Sequence, residues 1–418
     1  MFKKTFLFLT ILLSIFTFTS CKKNNEIEKN MDQYIDTMIS NTKSYTPSWN
    51  QENFKGRWNY IDGVFLKSII DKYNKTKDEK YIKFVAKYVN YYIDKDGNFK
   101  NITNPGLPGF TSGELDSVCE SRILFDLLDY TKDSRYEIAI QKTFQELRTM
   151  PTCYGTDNFY HKSSYPEQVW LDGMYMYAPF LTRYALMVND TSILDLLVRQ
   201  YQFIRDNMFN EEKGLYYHAM DVSRQIFWAD KETGLSKSFW LRAEGWLLTS
   251  LADVLDYLKA KEYKKYYEPL NEMFEEAIEG ILQYMDPNNY MFYQVIDRGG
   301  EGATVSYNDY LYYLNDDYTE TTYINNYLES SGSSMVSYSL LKHYPKDSKK
   351  YKLGLKIFEG VYNHSFKDNS LNDICIQAGL GPDNRRYRDS SFEYYLAERV
   401  GSNDAKGVGP FIMAYLNR

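Results

Sequence analysis

Apolar residues recur at steps of three and four along most of this chain. Between Ile82 and Ile93, the positions Ile82, Val85, Val89, Tyr92 and Ile93 fall on one stripe of a helix. The same period returns at Leu247, Leu248, Leu251, Val254, Leu255 and Leu258, from Ile123 to Leu128 and from Ile193 to Ile204. Strand-like alternation is scarce. The pattern predicts helices over 56–73, 78–93, 115–131, 134–149, 168–188, 191–208, 238–260, 263–284, 325–343, 347–363, 390–400 and 405–416, with ends set to within a few residues. Short links such as Lys132-Asp133 and Asn189-Asp190-Thr191 join these stretches into pairs, while longer segments rich in Gly, Pro, Asn and aromatics separate one pair from the next. Six helical hairpins in sequence predict an all-α fold, a closed (α/α)6 barrel whose long loops gather at one end. No Pro- or Ser-rich linker interrupts the series, so a single domain is expected over residues 31–418.

The first thirty residues read differently. Lys3 and Lys4 precede an apolar run from Phe6 to Phe18, followed by Thr19, Ser20 and Cys21, which predicts a signal peptide over residues 1–20 with a lipoprotein cleavage site. The run is shorter than the roughly 20 apolar residues that crossing a bilayer takes. Cys21 is then the lipidated first residue, and residues 21–30 are a polar tether. The expected location is the outer membrane, held through that lipid anchor; the lack of an acidic run in Lys22-Lys23-Asn24-Asn25 favours the periplasmic side over the cell surface. Cys119, Cys153 and Cys375 show no CxxC spacing, so neither a disulfide framework nor a zinc site is expected, and each is read as a small buried residue.

A formal net charge of -7 argues against nucleic acid as a partner. The aromatic content is more telling: 41 Tyr, 24 Phe and 6 Trp. Most of these rings fill a large core, but flat amphipathic rings also suit the apolar C–H faces of sugars.

Only four histidines are present. His343 and His364 stand among ordinary helix-end and loop residues, whereas His161 and His218 fall in aromatic-rich segments, Phe159-Tyr160-His161-Lys162 and Gly214-Leu215-Tyr216-Tyr217-His218-Ala219. Asp172, after Trp170-Leu171 and before Gly173, is either an N-terminal helix cap or a desolvated carboxyl with a raised pKa. Asp116, in Gly113-Glu114-Leu115-Asp116, poses the same choice. These two carboxyls and two imidazoles stand at loop-to-helix junctions, where one mouth of a barrel would collect them.

In this order the motifs resemble the unsaturated rhamnogalacturonyl hydrolases of glycoside hydrolase family 105. The likeness runs through Phe159-Tyr160-His161-Lys162, Gln168-Val169-Trp170-Leu171-Asp172-Gly173-Met174-Tyr175-Met176, Gly214 to Ala219, Trp228-Ala229-Asp230 and Thr233-Gly234-Leu235-Ser236. It continues through Phe239-Trp240-Leu241-Arg242-Ala243-Glu244-Gly245-Trp246, Phe292-Tyr293-Gln294-Val295, Tyr327 to Ser333, Ala378-Gly379-Leu380-Gly381 and Asn403 to Phe411. The resemblance implies a barrel that removes a terminal 4,5-unsaturated uronic acid, rhamnogalacturonyl or glucuronyl in setting, from oligosaccharides left by a polysaccharide lyase. Carried over by motif, it implies Asp172 as general acid with Asp116 as its catalytic companion, and His161, His218, Trp240, Arg242 and Trp246 as residues lining the sugar site, flanked by Lys162 and Trp170.

The implied chemistry suits these residue types. An unsaturated uronide is an enol ether, so protonation at C4 creates an oxocarbenium-like centre at C5 that water attacks, and the resulting hemiketal collapses. Asp172 must then hold a proton well above the ordinary carboxyl pKa of about 3.9, with burial beside Trp170 and the Asp116 carboxylate as expected causes. Asp116 or His218 holds the water, and Arg242 matches the substrate carboxylate in two-point geometry, with Lys162 as the second choice. Such a reaction needs no Lewis acid, so no metal and no cofactor are expected, and the protein is read as a monomer. Two departures from the family pattern stand out: Leu241 before Arg242, and a longer stretch between Asp297 and Thr322 expected to reshape the rim. The competing reading is a non-catalytic glycan-binding lipoprotein, which has no need of a buried acid.

Overall fold

The computed structural model describes residues 24–43, 46–51, 56–101, 109–306, 309 and 321–418. The expected signal peptide and the lipidation site Cys21 lie outside the described residues. The helices are α1 over residues 24–40, α2 (Tyr60–Thr76), α3 (Glu79–Tyr92), α4 (Leu115–Ser121), α5 (Leu124–Thr131), α6 (Ser134–Arg148) and α7 (Leu171–Val188). There follow α8 (Thr191–Met208), α9 (Leu241–Tyr257), α10 (Lys264–Leu282), α11 (Ser330–His343), α12 (Lys349–Ser365), α13 (Phe392–Ala397) and α14 (Ala405–Asn417).

Helices α2, α4, α7, α9, α11 and α14 pack side by side in that order, and α14 returns to α2 to close a ring. Outside it, α3, α6, α8, α10 and α12 lie against their inner partners. Composition explains which helix goes where. Every residue of α9 from Leu241 to Leu255 is buried, as an inner helix requires, whereas α3 buries only the stripe Tyr81, Ile82, Val85, Tyr88, Val89 and Tyr92. The serine-rich start of α11 stays inside because its backbone lies close to α9: a Cβ on Gly332 would meet Leu241 Cγ at 2.4 Å. Its hydroxyls are satisfied along the helix, Ser334 on Ser330 O and Ser339 on Met335 O.

The expected all-α toroid is therefore present, with three corrections. First, residues 24–30 are not a tether but the first turns of α1, since Ile27, Met31, Tyr34, Ile35 and Met38 form a buried stripe. The single apolar residue Ile27 among polar neighbours hid this stripe. Secondly, the last inner helix does not pair with α13. Its outer partner is α1, held by Tyr415 OH on Asp32 at 2.9 Å and Arg418 on Glu28 at 3.5 Å, so the two ends of the chain close the ring. Thirdly, the stretch 115–131 breaks at Arg122-Ile123 into α4 and α5.

Short antiparallel strand pairs decorate the loops. Gln168–Trp170 pairs with Ala219–Asp221, and Gly302–Ser306 pairs with Thr321–Asn325. The second pair is the long segment expected at the rim, and it packs on α13, with Arg298 over the Phe392 ring at 4.1 Å. At the opposite end, Asn24 shares a groove with Lys75 from the last turn of α2 and with Arg418. Above that base, Arg122, Asp253 and Tyr338 meet inside the ring: Arg122 lies 3.4 Å from Asp253, and the Tyr338 hydroxyl donates to Asp253. Among the described residues no helix is long and apolar enough to cross a membrane. Cys119, Cys153 and Cys375 are buried, as expected.

Candidate active site

All six inner helices begin at the same end of the barrel. Asp116, Asp172, Arg242, Ser331 and Lys406 are the second residues of α4, α7, α9, α11 and α14, and Asn59 caps α2. Six helix N-termini with inward-facing N–H groups favour a bound anion. The cavity they surround, about 210 Å³, is lined by Asp116, His161, Lys162, Tyr165, Trp170, Asp172, Met176, Trp240, Arg242 and Trp246. Arg57, Asn59, Tyr60, Gln377, Ala378, Gly379, Arg385, Arg388 and Lys406 complete the wall.

Neither carboxyl caps its helix. Trp170 and Glu114 occupy the cap positions of α7 and α4 without a side-chain cap bond, and the two acids follow in the first turn. The outer helices behave differently: Asp78, Asp133 and Asp190 cap α3, α6 and α8 by accepting the N–H of Lys80, Arg135 and Ser192.

Asp172 stands on the floor of the cavity. Its Oδ2 is buried 3.1 Å from Nε2 of His218, and neither atom has another hydrogen-bond partner among the described residues. The alignment is bent, as is common in unliganded sites. His218 is fully buried and lies behind Asp172 rather than on the cavity wall, which corrects the expectation that it lines the sugar site. The bridge of Trp170 to Ala219 places His218 there, with its carbonyl accepting the N–H of Leu171 at 3.0 Å.

Asp116 is held differently. Burial pushes its carboxyl up, but Lys162 Nζ at 2.7 Å, His161 and Arg57 outweigh burial and keep it below the usual carboxylate range. It is therefore an anion at neutral pH. Burial takes the His161 imidazole down to about 4 against the pull of Asp116, so that ring is neutral; it stacks on Trp170 at 4.5 Å with planes 4° apart. The backbone bridge between Glu114 and Lys162 brings these two segments together.

Arg242 is buried, with its guanidinium 4.6 Å from the Trp240 ring centre and donating to Cys375 O and Ser331 Oγ. Glu329 organises both acceptors: it caps α11 through the N–H groups of Ser331 and Gly332 and accepts the N–H of Cys375 at 3.1 Å. Trp246 packs against Tyr175 at 4.5 Å and lines the cavity. The wall at Arg57 to Tyr60 is fixed from behind by two buried carboxyls: Asp62 accepts the N–H of Arg57 at 2.8 Å and Glu120 that of Asn59 at 3.0 Å.

The structure thus gathers Asp172, Asp116, His161, Lys162, Trp170, Trp240, Arg242 and Trp246 around one cavity, with His218 directly beneath. It adds Arg57, Arg385, Arg388, Lys406 and Tyr165, which the sequence reading passed over. Lys406 carried a usable signal, a lysine in the first turn after the Asp404 cap, where the helix N-terminus disfavours a cation.

The sequence profile of Glycosyl Hydrolase Family 88 matches residues 30–307 and 315–418. A solved family 105 glycoside hydrolase from C. acetobutylicum ATCC 824 is 30% identical, covers 93% of this chain and 98% of its own, and superposes with a TM-score of 0.76. A protein of Agrobacterium fabrum is 28% identical over 249 residues, 57% of this chain and 95% of that one. The unsaturated rhamnogalacturonyl hydrolase YesR of Bacillus subtilis is 24% identical over 208 residues, 48% of this chain and 54% of that one. The chain belongs to the glycoside hydrolases described by the family 88 profile and, among them, to family 105.

Proposed function

We propose that this protein hydrolyses lyase-generated oligosaccharides, releasing a terminal 4,5-unsaturated uronic acid. The observation that carries the reading is the Asp172 carboxyl, half-buried with its Oδ2 against His218, in a family 105 cavity whose wall holds six cationic residues and two carboxyl groups. An anionic sugar suits that lining.

Asp172 delivers a proton to C4, and the C4=C5 electron pair forms the new C–H bond, leaving a cation at C5 that the ring oxygen shares. Water adds at C5. Asp116 is the group that holds it, because it is ionised and faces the cavity while His218 does not. The hemiketal so formed opens and frees the remainder of the chain. Arg242 pairs with the uronate carboxylate through the part of its guanidinium not engaged by Cys375 and Ser331. The hairpin of Gly302–Ser306 and Thr321–Asn325, beside α13, shapes what lies beyond the cleaved sugar. The signal peptide and Cys21 support a lipid-anchored protein of the outer membrane, periplasmic in orientation, working as a monomer.

Incubation with a lyase-generated unsaturated disaccharide tests the reading. Loss of the conjugated double bond's ultraviolet absorbance is expected. Persistence of that absorbance with both galacturonic- and glucuronic-derived substrates would overturn it.

A further inference from the structure

Behind the floor of the cavity lies a three-residue chain that no part of the reaction above requires. The Tyr395 hydroxyl is 2.7 Å from Nδ1 of His218, and Nε2 of the same ring is 3.1 Å from Oδ2 of Asp172. Tyr395 and His218 are wholly buried, and Asp172 Oδ2 is buried too. Each group has few choices. Burial holds the Tyr395 phenol well above its usual pKa, so it keeps its proton, and Nδ1 is its hydrogen-bond partner among the described residues. A buried hydroxyl with one neighbour donates to it. Nδ1 then accepts, and the proton of the neutral imidazole falls to Nε2, whose neighbour is Asp172 Oδ2. Trp240, stacked on Tyr395 with planes 22° apart, and the Gln294 amide donating to Tyr395 O keep the phenol in place.

We propose that Tyr395 is a positioning residue that sets the tautomer of His218, so that Nε2–H faces the buried Oδ2 of Asp172 and leaves Oδ1, the oxygen turned to the cavity, to deliver the proton. The inference rests on the functional reading above for what that proton does. When Oδ1–H passes to C4, the O–H bond breaks as the C4–H bond forms. The negative charge left on Asp172 then faces an N–H 3.1 Å away, and the bent contact straightens and strengthens as the transition state forms. With the other tautomer, a lone pair would face the nascent carboxylate. His218 then neither touches the sugar nor holds water; it aims and stabilises the acid.

Labelling the full-length protein with 15N-histidine tests this, since only four imidazoles contribute signals and His218→Gln identifies the one of interest. Two-bond 1H–15N correlations at neutral pH are expected to show the Nε2–H tautomer for His218, and Tyr395→Phe is expected to shift it toward Nδ1–H. In turnover, Tyr395→Phe is expected to lower kcat about tenfold to a hundredfold with KM within about twofold, the pattern of an interaction made in the transition state. An Nδ1–H tautomer or an imidazolium in the wild type overturns the proposal, as does an unchanged tautomer and kcat in Tyr395→Phe. The spectra are recorded without substrate. A wild-type protein that consumed no unsaturated uronide would therefore overturn the functional reading and leave the tautomer to decide the relay.

Discussion

Two buried polar clusters sit inside the same ring of helices, one at each end, and they are resolved in opposite ways. At the base, charges are matched from within: Arg122 faces Asp253, Lys67 faces Asp71 at 2.5 Å, and Lys342 faces Asp256 at 2.9 Å. At the mouth, Arg57, Lys162, Arg242, Arg385, Arg388 and Lys406 surround two carboxylates, and the N-termini of six helices add to the same sign. The base is a plug whose partners come from the chain itself. At the mouth Lys406 pairs with Asp404 at 3.1 Å and Lys162 with Asp116 at 2.7 Å, yet the cations lining the cavity outnumber its carboxyls, which suits an anionic sugar.

Exchanging the roles of the two ends breaks the comparison most sharply. Asp172→Asn is expected to lower kcat by about 10²- to 10⁴-fold, the usual worth of a positioned general acid, with an unchanged circular dichroism spectrum and melting temperature. A variant that keeps wild-type turnover removes Asp172 from the chemistry. At the base, Arg122→Met leaves Asp253 buried without its counter-charge and is expected to cost about 3–5 kcal/mol in urea unfolding, while KM of the folded fraction stays constant. Loss of substrate affinity without loss of stability would contradict the division drawn here.

A third prediction concerns acid. The folded pKa of His161 is about 4 against 6.5 for the free group, so the unfolded chain binds the extra proton between those values. Stability from this residue is complete above pH 6.5 and declines by about 3 kcal/mol as pH falls to 4. Asp62, raised by burial to about 6, and Glu244, raised to about 8, act in the opposite sense: their contribution is present at low pH and fades as pH rises through those values. The difference in unfolding free energy between wild type and His161→Gln, followed from pH 7 to pH 4, isolates the histidine. A flat difference would mean that the ring binds its proton equally well in the folded and unfolded protein, against the lowering by burial.

Smaller effects follow at the cations. Arg242→Lys keeps the charge but loses the two-point geometry, and is expected to lower kcat/KM by about 1.5–3 kcal/mol, chiefly through KM. Arg57, partly exposed and 4.0 Å from Glu114, is worth less: Arg57→Ala is expected to raise KM by about twofold to fivefold, an effect that fades at high salt.

The ring itself was legible because helix periodicity is a local property. The stripes of α9 and α3 were read alike from their apolar period, and the structure then separates them, burying α9 from Leu241 to Leu255 and α3 on one face. What escaped depended on the far end of the chain. Helix α1 shows one apolar residue in its first turns, and its partner α14 lies nearly 400 positions away, so nothing nearby marked Ile27 as buried. At the site, Asp172 and Asp116 alone looked like the helix caps that Asp78, Asp133 and Asp190 prove to be. Motif order separated the two groups, and the structure supplies the physical reason: the capping aspartates follow the short links at the base, whereas the cavity acids are the second residues of helices that begin at the mouth. His218 stood in the right motif, but a sequence does not distinguish a wall from the layer behind it. Arg388 and Arg385 come from a loop after Gly381 with no helical period to place them.

The start of α1 at the base has a consequence for how the enzyme stands. Asn24, three residues after Cys21, shares its groove with Arg418, at the end farthest from Asp172. Three residues of chain reach about 10 Å at most. If Cys21 carries the lipid proposed above, that tether is short beside the length of the barrel, about 27 Å along the 18 residues of α7, and the cavity at the far end would open away from the bilayer.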